Sequence, residues 1–255
     1  GRRGTDVARE AADLVLQDDR LETVAAAVEE GRVLFDDIRK FVWFLFSCNL
    51  SEVLVLFVAG VAGMPLPLRP VQLLWLNLVT DVFPALALAM EPGEPDVMRR
   101  PPRDPSEAIL SRAFLASVAA HAALLTAPAL VAFAVTLAGP AAAQATTVVF
   151  LSIAFGQLAH LVNARSDRPL VFSRRLFANP WAWAAAALVT ALQLAAVHHP
   201  GLSHVLRTTP LDATGWALVA VATGVPLVGG QAWRWWRTRA GSDDGGDGMR
   251  GAAAA

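Results

Sequence analysis

Six apolar stretches separated by short polar connections organise the chain from Phe41 onward: Phe41 to Ala62, Val71 to Met90, Ala113 to Ala138, Ala145 to Leu161, Trp181 to Val197, and Trp216 to Trp233. An α-helix needs about 20 mostly apolar residues to cross the roughly 30 Å hydrocarbon core of a bilayer, and each stretch is near that length. The pattern predicts six membrane-spanning helices within a membrane domain over 41–235. Before Phe41 the periodicity is different. Leu21, Val24, Ala25 and Val28 fall at i, i+3, i+4 and i+7 in a charged background, which predicts an amphipathic helix that Asp18 or Asp19 can cap. No proline interrupts the run from there to Ala62, so a stalk helix over 21–40 is expected to continue unbroken into the first span, with Gly31 as a tolerated weak point. Upstream, Asp13 to Gln17 is a short apolar run bounded by acidic residues, expected to be the last strand of an α/β domain ending within 1–20. The Gly-, Asp- and Ala-rich segment 236–255 has no periodicity and is expected to be disordered.

Charge sharpens this division. Only 17% of the 255 residues are charged, against about 25% in an ordinary soluble domain, and 17 of the 43 charged residues lie in the first 40 positions. A net charge of -1 gives no general bias toward nucleic acid. Cys48 is the only cysteine, which excludes an intrachain disulfide and a thiolate-only metal site. Lys and Arg are retained preferentially on the cytoplasmic side of a membrane. Here they gather before the first span (Arg39, Lys40), between the second and third (Arg99, Arg100, Arg103, Arg112), between the fourth and fifth (Arg165, Arg168, Arg174, Arg175), and after the sixth (Arg234, Arg237, Arg239). Both termini are therefore expected in the cytoplasm of a multi-pass cell-membrane protein whose partner is the lipid bilayer. Trp181, Trp183, Trp233, Trp235 and Trp236 stand at span ends, where indole rings favour the headgroup level. Arg is used 20 times and Lys once, which suggests a GC-rich genome and a bacterial inner membrane.

An ionisable group in hydrocarbon costs at least a few kcal/mol and marks a functional site by default. Two acids qualify: Glu52, about midway through the first span, and Asp81, about midway through the second. Asn49 stands three residues before Glu52; Asn77 and Thr80 stand four and one before Asp81. Positions three and four apart share a helix face, so two oxygen-rich stripes result, suited to a hard cation such as Ca²⁺ with its six to eight oxygen ligands. Pro84 cannot donate to the Thr80 carbonyl, so a kink with a free carbonyl is expected after Asp81. The alternative is that these polar groups only hydrogen-bond across helices, with both acids protonated. Gln157 in the fourth span is either a further ligand or an interhelical hydrogen-bonding residue. His121 is read as a packed or hydrogen-bonded side chain, and Cys48 as a small buried apolar one.

Several ordered motifs carry a resemblance. Gly4-Thr-Asp-Val-Ala-Arg-Glu-Ala-Ala-Asp13, Val24-Ala-Ala-Ala-Val-Glu-Glu-Gly-Arg32, Asn49-Leu-Ser-Glu52 and Pro70-Val-Gln-Leu-Leu-Trp-Leu-Asn-Leu-Val-Thr-Asp81 closely resemble the carboxy-terminal part of cation-transporting P-type ATPases, the calcium-pump-like members most of all. Asp96-Val-Met-Arg-Arg-Pro-Pro-Arg103 and Phe177-Ala-Asn-Pro-Trp181 fit the same pattern. The resemblance implies that residues 1 to about 20 end a HAD-like phosphorylation domain, that the long helix is the stalk, and that the six spans are the fifth to tenth transmembrane helices. The implied fold is an all-α bundle of six membrane helices with a stalk and a small α/β remnant. Position by position it makes Asn49, Glu52, Asn77, Thr80 and Asp81 cation ligands, with Gln157 where a two-site calcium pump carries a glutamate.

The family's Asp-Lys-Thr-Gly-Thr phosphorylation motif, Thr-Gly-Glu loop and Gly-Asp-Gly-Val-Asn-Asp magnesium loop are absent from the 255 residues. The expectation is a fragment beginning inside the phosphorylation domain, needing the remaining pump domains, ATP and Mg²⁺ to drive Ca²⁺ transport and unable to hydrolyse ATP alone. Other readings are a non-enzymatic membrane protein, as a passive conduit or a partner of an intact pump, and a pump for Na⁺, K⁺ or H⁺.

Overall fold

A computed structural model of the chain describes residues 4–18, 20–103, 109–166, 170 and 173–251, with side chains described as far as Trp236 except that of Leu21. The elements run α1 (Asp6–Glu10), α2 (Leu21–Val61), α3 (Pro70–Trp75), one turn of π-helix (Leu76–Thr80), α4 (Val82–Leu88), α5 (Arg112–Ala138), α6 (Ala145–Ala164), α7 (Pro180–His198), α8 (Pro200–Leu206) and α9 (Ala213–Gly251), with short 3-10 turns in three of the connections. Six segments are long and apolar enough to cross a membrane: the apolar part of α2, α3 with α4, α5, α6, α7, and α9 as far as Trp236. They coincide with the six predicted spans. The backbone of α9 is helical through Gly251, across most of the segment for which composition predicts disorder; 252–255 lie outside the described residues.

The expected α/β remnant is not there. Among the described residues there is no strand: Asp6–Glu10 is a helical turn capped by the Thr5 hydroxyl, and 12–17 is irregular chain. Leu14 and Val15 are 59% and 38% exposed. A β-strand needs neighbouring strands to pair its backbone and a layer to bury its apolar face, and nothing in the described chain supplies either. The architecture is all-α.

The stalk and first span form a single helix of 41 residues, about 60 Å long at 1.5 Å per residue. It passes through Gly31 without a break, in a place where that residue faces open space. Asp18 does not supply the capping bond expected of it, and Asp19 lies outside the described residues. Asp18 instead accepts from the Arg20 N–H and, at 2.6 Å, from the Thr23 hydroxyl, and the Thr23 bond holds its carboxyl below the usual carboxylate range.

Helix α6 is the centre of the bundle. It is buried along nearly its whole length and packs against α9 and α5 most extensively, then α2, α7 and the second span. One core cluster joins Val148, Phe150, Leu151 and Ile153 of α6 to Val55 of α2, Phe133 of α5 and Val219 of α9. Outward-facing residues such as Phe57, Leu74, Val131 and Val221 are largely exposed, as befits helices whose outer faces meet lipid.

At the stalk end, polar groups lock the connections together. Arg165, 2% exposed, donates from Nε to Glu91 (2.9 Å) and from its terminal nitrogens to the Leu176 and Arg175 carbonyls. Asn179 donates to the same Glu91 oxygen at 2.7 Å and caps α7 by accepting from the Ala182 N–H. Arg175 pairs with Glu94, which also accepts from Ser166. Arg32 donates to the Val97 and Arg100 carbonyls, and Arg100 pairs with Asp36, tying the connection after the second span to the stalk. Gly93 lies so close to Val33 that a Cβ there would collide with it. The basic connections counted on one side in the sequence are thus gathered at one end of the bundle; Arg168 and the Arg237 and Arg239 side chains lie outside the described residues.

Breaking a buried ion pair leaves an uncompensated charge and costs about 3–5 kcal/mol. Arg165→Ala should therefore lower stability by about 3 kcal/mol, read as a reduced unfolding midpoint of the purified chain in detergent. Glu91→Ala should cost a similar amount, and the double variant less than the sum.

Candidate functional site

The two acidic stripes meet inside the bundle. Glu52 is 4% and Asp81 2% exposed, and neither has a Lys or Arg partner among the described residues. Their carboxyl oxygens are met by neutral groups. Asn77 Nδ2 donates to Glu52 Oε2 at 2.7 Å, and Gln157 Nε2 donates to Glu52 Oε1 at 3.0 Å, so α2, the second span and α6 converge on a single carboxylate. Asn49 Nδ2 donates to Asp81 Oδ2 at 3.4 Å, and to the Leu45 carbonyl one turn back at 2.8 Å. The Cys48 thiol lies beside Asp81. Asp81 Oδ1 and Gln157 Oε1 are among the buried side-chain oxygens that have no hydrogen-bond partner.

The second span departs from α-helical geometry at this place. Across Leu76–Thr80 it forms one π-turn, in which the Asp81 N–H reaches back five residues to the Leu76 carbonyl at 3.1 Å. Such inserts are frequent at functional sites. Pro84 then falls in the first turn of the helix that restarts at Val82, where a missing N–H is tolerated. The disturbance expected at Pro84 is therefore spread upstream over Asn77 to Asp81, the residues that carry the polar stripe.

Thr80 is fully buried and its hydroxyl accepts from Gln193 Nε2 at 2.8 Å; Gln193 Oε1 in turn accepts from Trp75 Nε1 at 3.2 Å. Gln193, on α7, is not among the residues that helical spacing picks out. Its signal was a lone amide in an apolar span, the same signal that singled out Gln157. Cys48 is buried in an apolar cluster as expected, beside Asp81. His121 is hydrogen-bonded as expected, through Nδ1 to the Ser117 carbonyl at 2.9 Å, and packs edge-on to Trp43. Of the five residues singled out by spacing, Asn77 meets Glu52, Asn49 meets Asp81 and Thr80 is held by Gln193, while Gln157 makes an interhelical hydrogen bond to Glu52. No group of three or more His, Cys, Asp or Glu side chains occurs among the described residues, so a bound cation would rest on two carboxylates supplemented by amide and hydroxyl oxygens.

Comparison with known families then decides the broader question. Residues 65–236 match the model described as "Cation transporting ATPase, C-terminus". The chain belongs to the cation-transporting P-type ATPases. It is 38% identical over 228 residues to a calcium-transporting ATPase of Bacillus subtilis, covering 89% of this chain and 26% of the relative. It is 36% identical over 230 residues to a probable cation-transporting ATPase F of Mycobacterium tuberculosis, covering 89% and 25%, and 34% identical over 215 residues to the mouse calcium-transporting ATPase type 2C member 2, covering 84% and 23%. The chain thus spans about a quarter of the length of these relatives. As a P-type ATPase sequence it holds the carboxy-terminal membrane part; the phosphorylation and nucleotide-binding motifs are not among its 255 residues, and hydrolysis of ATP needs them.

Gln193→Leu should leave both the Thr80 hydroxyl and the Trp75 indole N–H without their partner, at about 1–3 kcal/mol for each buried group stranded. The expected readout is a lowered unfolding midpoint together with increased solvent quenching of Trp75. Gln193→Glu, which keeps an acceptor for Trp75 but not the donor to Thr80, should lose less of the Trp75 signal.

Proposed function

We propose that these residues are the ion-translocating half of an ATP-driven Ca²⁺ pump, and that Asn49, Glu52, Asn77, Thr80, Asp81 and Gln157 hold the transported ion. The observation that carries this reading is a pair of buried carboxylates with amide donors and no cationic side chain around them. Burying a charge is tolerated when it is paired or binds a metal, and here the pairing is by neutral amides alone. Each such amide holds an oxygen on the same carbon as its NH₂ group. Rotating Asn77 or Gln157 by a half-turn replaces a donor to Glu52 with a ligand for a cation, so the amide contacts are a stand-in for the ion. The unpartnered Asp81 Oδ1 and Gln157 Oε1 are acceptors that a cation satisfies directly.

Two carboxylates balance one divalent ion. With a neutral Gln157 in the fourth span, a second Ca²⁺ in the same region would lack compensating charge, so one Ca²⁺ per cycle is the stoichiometry this site supports. The relatives named as calcium-transporting support the choice of ion. In the complete pump, phosphorylation from Mg²⁺ and ATP on domains beyond these residues moves the stalk, and the stalk carries Asn49 and Glu52 relative to the Asn77–Asp81 π-turn. We place the stalk end in the cytoplasm, from the clustering of Lys and Arg in the connections gathered there.

The test joins the chain to the upstream pump domains and measures Ca²⁺-dependent phosphoenzyme formation. Asp81→Asn and Glu52→Gln should each raise the Ca²⁺ concentration for half-effect by about tenfold or more, since a charge-assisted contact is worth about 1.5–3 kcal/mol. Gln157→Glu should lower it. Unchanged Ca²⁺ dependence in both acid variants would remove the site assignment. Phosphorylation driven by Na⁺, K⁺ or H⁺ in place of Ca²⁺ would keep the pump and overturn the ion.

A further inference from the structure

Helix α7 packs against the π-turn and against α4, and within its apolar length it carries one fully buried amide, Gln193. A primary amide has a donor end and an acceptor end, and its neighbours settle which end faces which. The indole N–H of Trp75 can only donate, and Gln193 Oε1 accepts from it at 3.2 Å. The Nε2 end is thereby left to Thr80, whose hydroxyl oxygen accepts from it at 2.8 Å. Trp75 closes α3 and Thr80 closes the π-turn that follows, so the two contacts of this one amide bracket the irregular turn.

Threonine in a helix commonly turns its hydroxyl back onto the carbonyl three or four residues earlier. Two threonines of other spans do this: Thr136 donates to the Ala132 carbonyl at 2.7 Å and Thr223 to the Val219 carbonyl at 2.8 Å. Thr80 is arranged differently. The carbonyl four residues before it, that of Leu76, accepts from the Asp81 N–H across the π-turn, and the Thr80 hydroxyl is directed to α7 instead. A hydroxyl oxygen has two lone pairs. The amide occupies one, and the other remains for a further contact in a fully buried position.

We propose that Gln193 is a positioning residue for the transported ion: held by Trp75, it fixes the orientation of the Thr80 hydroxyl and through it sets the affinity of the site for a divalent cation. This inference rests on the ion-site reading given above and gives a part to α7, which supplies none of the proposed ligands. Fixing a ligand oxygen before the ion arrives removes an ordering cost that binding would otherwise carry. Without the amide, the Thr80 hydroxyl returns to the back-bonded arrangement of Thr136 and Thr223, and must leave it each time the ion binds.

The experiment measures equilibrium binding of radiolabelled Ca²⁺ to the full 255-residue chain in detergent. Gln193→Met keeps the length of the side chain without the amide, and should raise the Kd about threefold to tenfold, the worth of one hydrogen-bonded contact. Thr80→Val should raise it by a similar factor. In the Thr80→Val background Gln193→Met should add nothing, because the amide acts only through that hydroxyl; a loss of packing alone would weaken binding in both backgrounds. Trp75→Phe leaves Gln193 in place but frees its Oε1, and should shift the Kd in the same direction by less, again only where Thr80 is present. It decides the question by itself where Gln193→Met does not fold. A shift that persists undiminished in the Thr80→Val background, or parent-like binding in both Gln193→Met and Trp75→Phe, overturns the proposal. Glu52→Gln and Asp81→Asn are measured alongside. If those two bind Ca²⁺ like the parent chain, the ion-site reading falls and this inference with it; if they weaken binding and the Gln193 and Trp75 variants do not, only the positioning role falls.

Discussion

Two carboxylates inside a bundle of apolar helices impose the constraint around which the rest of this structure is arranged. In a low-dielectric interior a carboxylate must be neutralised, paired or solvated by fixed dipoles. Glu52 and Asp81 are given dipoles only: amides from the second span and α6 to the one, an amide from the first span to the other. Supplying donors from three helices requires those helices to approach closely and in fixed register. That requirement accounts for the central position of α6, which brings Gln157 to Glu52 while packing against α5 and α9 on its other faces. It also gives a physical reason for the π-turn. One extra residue in the turn widens the helix and changes the directions of Asn77, Thr80 and Asp81 relative to one another, so that a single segment serves Glu52, Gln193 and Asn49 at once.

The polar locks at the stalk end complement this arrangement. Hydrogen bonds and ion pairs from Arg165, Asn179, Arg175 and Arg32 hold the connections to the stalk and to each other. The helices carrying the carboxylates are thereby braced below the site as well as across it. A membrane bundle lacks a strong hydrophobic force between its helices, and packing with interhelical hydrogen bonds must supply specificity instead. Here the hydrogen bonds lie at the carboxylates, at the boundary with the stalk, and at the opposite end, where Gln72 donates to the Leu206 carbonyl and the Thr147 hydroxyl accepts from the Thr209 N–H.

Much of this was legible in the sequence because its physics is one-dimensional. Twenty apolar residues span a bilayer wherever they occur, and a carboxylate within such a run announces itself. Glu52, Asp81 and their neighbours at helical spacing were readable for that reason, as was the unbroken helix from the stalk into the first span. The partners across helices were not. Gln193 meets Thr80 from 113 positions away, and nothing in local periodicity says which face of α7 turns inward. The π-turn was hidden because Pro84 drew attention to the position after Asp81, whereas the helix absorbs the irregularity before it. The strand expected at 13–17 failed for a different reason: a run of three apolar residues becomes a strand only when another strand is beside it, and a local pattern cannot report its neighbours.

The continuity of α2 has a mechanical meaning. A straight α-helix is stiff over several turns, and this one carries no proline, π-insert or other hinge between Leu21 and the residues at Asn49 and Glu52. In the proposed pump, a displacement at its outer end would therefore be carried along the helix to the depth of the carboxylate. The adjoining span has its irregular turn at the same depth. On the proposed reading, the continuous helix would carry motion and the irregular turn beside it would accommodate it, at the depth where the oxygens lie.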